Sequence, residues 1–154
     1  MKYKIIHELK EHYTFTISAA LIAVLIAFLG ILINKTAFVS LTESLFWILH
    51  PAHIFFSSIV SVAIFYKYRH NFLTALLVGM SISVVMGSVS DVIFPYIGSS
   101  IFNIPISFHL PAIEEPLLIL AVSLAGALTG LSFNKTKFPH LIHVLISVFA
   151  SLFY

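Results

Sequence analysis

The sequence contains no cysteine. Disulfides, thiolate metal sites and cysteine nucleophiles are therefore excluded. Charge is nearly as scarce. Only 9% of the 154 residues are Asp, Glu, Lys or Arg, against 60% that are hydrophobic. An ordinary soluble domain is about 25% charged and roughly 45–50% apolar. A small domain has too little interior to hide so much apolar surface from water. This scarcity excludes a water-soluble globule, a disordered chain and a nucleic-acid binder. The solvent expected for the chain is a lipid bilayer, and the expected location is the cell (inner) membrane, crossed several times.

Histidine, by contrast, is abundant: eight against six acidic and eight basic residues. Imidazole is costly in lipid without a reason. It is also the commonest metal ligand and the side chain that titrates near neutral pH.

A membrane-crossing helix needs about 20 mostly apolar residues. Five stretches are expected to cross: 14–33, 44–66, 72–96, 112–133 and the shorter 139–154. The predicted fold is an all-α membrane bundle of five helices forming one domain over residues 1–154. The first stretch follows a basic start at Lys2, Lys4 and Lys10, as a signal peptide would. Its apolar run is too long for one and no small-x-small site follows it before Asn34, so it reads as an uncleaved helix. With five spans and a cytoplasmic N-terminus, seven of the eight basic residues fall inside: Lys2, Lys4, Lys10, Lys67, Arg69, Lys135 and Lys137. Lys35 alone falls outside, a distribution that sets the orientation. The segment 95–111 has no Lys or Arg but carries Gly98, Pro105 and Pro111. It reads as an outer loop that dips into the membrane where protein or water covers it.

Two segments share the pattern H-x2-H-x3-S-x3-S: His50, His53, Ser57, Ser61 and His140, His143, Ser147, Ser151. Upstream, Asn34-Lys35-Thr36-Ala37-Phe38 matches Asn134-Lys135-Thr136-Lys137-Phe138, and Gly30 matches Gly130. Spans one and two thus resemble spans four and five. The single span between them makes the copies run in opposite directions, as in inverted-repeat transporters. Residues spaced i, i+3, i+7, i+11 share one helix face, so each copy bears a polar stripe headed by two histidines. The third span has a stripe of its own, Gly79, Ser83, Gly87 and Asp91. Its small residues read as helix packing, which turns Asp91 into the bundle.

On this topology His50, His53, Asp91, His109, Glu114 and Glu115 gather in the outer half of the protein. Imidazole and carboxylate suit a divalent transition metal, zinc or iron, in a mononuclear or dinuclear centre. The carboxylates Glu114 and Glu115 start a helix, where the dipole favours acids in any case. They lie about 100° apart around it, so only one should face a given site. His140 and His143 are metal-ligand candidates by their pattern, yet the charge rule puts them near the inner face, opposite His50 and His53. His7, His12 and His70 read as solvated or headgroup-facing.

His50-Pro-Ala-His53, followed by Gly87-Ser-Val-Ser90-Asp91 and then Pro95 and Gly98, resembles the membrane-bound metal-dependent hydrolase family regulated by the SOS repressor. That family opens one helix with a histidine motif and closes the next with a Ser-His and Asp motif before a Pro/Gly turn. The likeness covers residues 50–98. The histidine spacing here is shorter, the Arg after the first His is absent, and no His adjoins Asp91. The resemblance implies a metal-dependent hydrolase.

Four functions follow. A metal held by His50, His53 and Asp91, with His109 or a Glu, would activate water for attack on a lipid-like substrate. Glu114 or Glu115 would then act as general base. A divalent-cation or proton conduit fits the inverted repeat and the Ser stripes, and five spans per protomer would call for a homodimer. Histidines on different helices are also the ligand set of a haem protein. An accessory subunit of a larger membrane complex would use the same polar residues as interhelical hydrogen bonds.

Overall fold

A computed structural model describes the backbone of residues 2–133 and 137–154; side chains are described from residue 13 onward, apart from residues 15, 39, 43 and 134–138. The side chains of His7 and His12, those of the basic residues Lys2, Lys4, Lys10, Lys135 and Lys137, and the Asn134-Lys135-Thr136 half of the sequence match lie outside the described residues. All regular structure among the described residues is helical. Three helices are long and apolar enough to cross a membrane: Thr16–Phe38, Ser40–Tyr68 and Phe72–Ile101.

The first helix, α1, runs Lys2–Tyr68 and breaks once, at Asn34 (φ −158°, ψ 94°). The Asn34 side chain accepts the backbone N–H of Ala37 at 3.0 Å, the bond that an N-cap residue makes to the third residue of a new helix. Asn34 therefore ends one arm and starts the next. The loop expected over residues 34–43 is thereby reduced to a single residue. The bend is sharp: a β-carbon added at Gly30 would lie 2.2 Å from the Phe38 ring, so the two arms meet where only hydrogen fits. The first arm buries Ala19 and Ala23 and leaves Leu21, Leu25, Phe28, Leu32 and Ile33 exposed.

The second arm of α1 is the axis of the fold and packs against every other long helix. After a turn at residues 69–71, α2 (Phe72–Ser88) is capped by Asn71, which accepts the N–H of Thr74 at 3.0 Å. It continues through a π turn, Val89–Ile93, into α3 (Phe94–Ile101). The third span is thus longer than the 72–96 expected. Its small-residue stripe does what the spacing implied. A β-carbon at Gly79 would collide with Val62, and one at Gly87 would press on Ile54.

Beyond α3, Asn103 takes a left-handed conformation (φ 54°), and the chain runs irregularly to a one-turn helix, α4 (Pro111–Glu114). The expected span over 112–133 is interrupted at Glu115 (φ −127°, ψ 54°). Pro116 causes this, because a residue before proline is pushed out of the helical region. The helix proper, α5 (Pro116–Leu131), has 16 residues, and α6 (Lys137–Phe153) has 17. At 1.5 Å per residue each is about 25 Å long, short of a hydrocarbon layer of about 30 Å. Gly126 and Gly130 seat α5 directly on the α1 backbone. A β-carbon at either would lie 2.3 or 2.6 Å from the carbonyl oxygen of Phe55 or Ile59. Since 126 meets 55 and 130 meets 59, α5 runs parallel to the second arm. Helix α6 runs antiparallel to it: His143 meets His53, and Tyr154 meets Phe46.

Candidate functional site

The second arm, the π turn and α6 bring their polar residues together in the interior. Asp91 is fully buried, as is His50, and His53 is 2% exposed. One carboxylate oxygen of Asp91, Oδ2, lies 3.0 Å from His50 Nδ1 and 2.6 Å from His53 Nδ1. The other, Oδ1, accepts the hydroxyls of Ser90 at 2.6 Å and Ser147 at 3.3 Å. An ionised carboxylate only accepts hydrogen bonds. Opposite an ionised Asp91, both rings carry their proton at Nδ1 and present the lone pair of Nε2. The His50 ring stacks on Phe46 with centroids 5.4 Å apart, and its Nε2 is buried with no hydrogen-bond partner among the described residues. The His53 ring lies against His143, centroids 4.7 Å apart, and His140 lies beyond it at 5.9 Å from His143.

The two histidine pairs therefore meet rather than face opposite sides of the membrane. The charge rule separated them by assuming that the last two helices are full spans. Gly130, near the end of α5, reaches only Ile59 and Val62 of α1, while α1 runs on to Tyr68. Starting from this shallower connection, α6 brings His143 level with His53.

The π turn has a local cause. Within it the N–H of Phe94 reaches the carbonyl of Val89, five residues back. The same register would pair the carbonyl of Ser90 with residue 95, but Pro95 has no N–H to give. The Ser151 hydroxyl, whose single proton is shared with the Ser147 carbonyl at 2.8 Å, lies 3.0 Å from the Ser90 oxygen and offers it a donor. Thus α6 satisfies the backbone distortion that aims Asp91 and, through Ser147, the carboxylate itself. Sequence reasoning placed Ser147 and Ser151 on a polar stripe without finding these acceptors. The signal was the proline four residues after an aspartate, a spacing that frees a carbonyl beside it. Deeper along the same helices, Ser58 and Ser83 share a buried hydrogen bond of 2.5 Å.

The other candidates lie elsewhere. His109 and Glu114 pair with each other at 3.3 Å on the surface, with side chains 53% and 39% exposed. Glu114 also accepts the N–H of Leu110 at 3.2 Å, which caps the single turn of α4. Glu115 is exposed at the start of α5. Among the described residues, no group of three or more His, Asp or Glu is arranged to hold a metal ion.

Fold and site together define an all-helical protein with membrane-length apolar helices and a buried His–Asp–Ser centre where three of its segments converge. No family model, no curated protein and no solved structure matches the chain.

Proposed function

We propose that the protein is a small multi-pass membrane protein whose buried centre accepts and passes a cation, most simply a proton. The observation that carries this reading is the shared carboxylate. Were both histidines neutral donors to an ionised Asp91, the site would hold a net negative charge with almost no exposure. An isolated charge in such surroundings is expensive. A proton taken up at Nε2 of either ring cancels it without breaking a bond to Asp91. The centre is thus built to load one positive charge, and the Ser58–Ser83 pair continues the polar interior toward the 69–71 turn. The five-span topology belongs to this proposal, with the α5–α6 hairpin as the inverted counterpart of the two arms of α1. So do a cytoplasmic N-terminus, a cell-membrane location and a homodimer.

The test is proton flux into liposomes reconstituted with the purified protein and loaded with a pH-sensitive dye. Wild type should collapse an imposed pH gradient and Asp91→Asn should not. Equal rates in the two, or no flux above empty liposomes, would reject the proposal.

A second reading rests on one observation, the buried Nε2 of His50. Carboxylates that accept from the Nδ1 of a histidine commonly orient its Nε2 toward a metal. Zinc or iron gathered by Nε2 atoms of the His50, His53 and His143 group would make the protein a metal-dependent hydrolase of lipid-like substrates. Glu114 or Glu115 at the rim would then be the candidate base. Stoichiometric metal in protein purified without chelators, lost in His53→Ala, would favour this reading over the first.

A further inference from the structure

A cavity of about 250 Å³ opens at the end of the bundle opposite the 69–71 turn, lined by Thr42, Phe46, Trp47, Ser107, His109 and Tyr154 among others. It is far larger than the roughly 10–15 Å³ that one water needs. Tyr154 helps to hold its wall in place. The Tyr154 hydroxyl accepts the N–H of His109 at 2.9 Å and donates to the carbonyl of Ser107 at 3.3 Å. The irregular segment before α4 is thereby pinned over the end of α6. His109, which pairs with Glu114 at the surface, is among the lining residues together with Thr42, Trp47, Ser107 and Tyr154, all of which carry polar groups, so the space is wettable.

Its inner wall matters most. Phe46 lines the cavity and also stacks on His50 at 5.4 Å. Phe46 is itself only 4% exposed and is hemmed by Trp47 and Tyr154 at 5.9 and 5.1 Å. One aromatic ring therefore stands between the cavity and the fully buried imidazole.

We infer that this cavity is an aqueous vestibule serving the Asp91 centre, and that the Phe46 ring is its gate. The inference rests on the cation-accepting reading above. With the ring displaced, the vestibule opens directly onto the His50 edge of the centre. With the ring in place, the centre is sealed from this side, as alternating exposure to two faces requires.

The natural absence of cysteine allows a direct test by single-cysteine labelling of the full chain in membrane vesicles, using a charged, membrane-impermeant methanethiosulfonate reagent. Ser107→Cys reports the side on which the mouth lies. Ile48→Cys, whose parent residue is 65% exposed on the lipid-facing side of the same helix turn, reports lipid. A thiol in water reacts through its thiolate, whereas one in apolar surroundings is nearly inert, so Phe46→Cys should react within about tenfold of the Ser107→Cys rate. It should do so from that side only, while Ile48→Cys stays unlabelled. Thr42→Cys, one turn earlier on the same wall, replaces Phe46→Cys if the latter fails to insert. Labelling of Phe46→Cys no faster than that of Ile48→Cys, or equally from both sides, overturns the vestibule. In the flux assay, Phe46→Ala should raise the rate and Phe46→Trp should lower it; unchanged rates in both overturn the gate. If wild type carries no flux while Phe46→Cys still labels from the mouth, the vestibule stands and the cation-passing function fails.

Discussion

Among the described residues the same chemical pair, a histidine beside a carboxylate, occurs in two settings. In the interior, His50 and His53 hold Asp91 at 3.0 and 2.6 Å with almost no exposure. At the surface, His109 and Glu114 stand 3.3 Å apart, half in contact with the surroundings. The contacts differ little in kind; what surrounds them differs greatly. At the surface, solvent already stabilises each partner, so the pair adds little. In the interior no solvent competes, so each partner depends on the other and the protonation state of one becomes the problem of all. A histidine–carboxylate contact is therefore a mere surface feature in one place and a charge-handling device in the other.

Removing one partner from each site breaks the comparison most directly. Asp91→Ala leaves two buried imidazoles without their acceptor and should cost about 3–5 kcal/mol, read as unfolding in detergent. A loss below about 1 kcal/mol, the range of a surface pair, would show that the interior site is wetter than its burial implies.

Double-mutant cycles sharpen it. The His53–Asp91 coupling should come to roughly 1.5–3 kcal/mol, as for hydrogen bonds to charged groups. The same cycle on His109–Glu114 is expected near the low end of surface pairs, about 0–1 kcal/mol, and should shrink further in high salt. Couplings of equal size would erase the distinction.

Between these lies Ser151→Ala, which removes the donor to the Ser90 carbonyl and should cost about 1–2 kcal/mol. Because that bond compensates for Pro95, restoring an N–H with Pro95→Ala should recover part of the loss. A pair of strictly additive effects would disconnect α6 from the π turn. The smallest effect expected is that of Glu114→Gln, a few tenths of a kcal/mol at most, since the amide keeps an acceptor for Leu110 and only a screened charge is lost. Thermal melts of the two proteins in one detergent should nearly superimpose.

The interior site was legible in the sequence because helical periodicity is strict. His50 and His53 fall on one face by their spacing, and Gly79, Ser83, Gly87 and Asp91 define the face that meets it. Both predictions depend only on local geometry and on a hairpin of short connection. The long helices were legible for the same reason, although Asn34 was read as the start of a loop when it caps a continuing helix. What failed depended on depth. The charge rule located His140 and His143 by counting lysines in loops, and it had no way to register that the α5–α6 hairpin is short. Likewise, His109, Glu114 and Glu115 were grouped with the centre because they belong to the same end of the bundle. Pro116 breaks the helix at Glu115, and all three side chains are exposed. Their spacing carried information on sequence position and none on which way the broken helix would point.

The π turn at Val89–Ile93 can also be read as arithmetic on residue number. Such a turn is an α-helix holding one residue more than its register allows, and one residue corresponds to about 100° of rotation. The faces of Phe72–Ser88 and Phe94–Ile101 are offset by that amount. The lower half can present glycines to α1 while the upper half lies along α6, and Asp91 falls at the seam between them. Deleting any one of the other four residues of the turn would re-join the halves as a single smooth rod, with the composition and hydropathy of the span hardly changed. Its aspartate would then face a different neighbour. The address of the buried acid is thus written in the count of residues between two helical segments as much as in the identity of any of them.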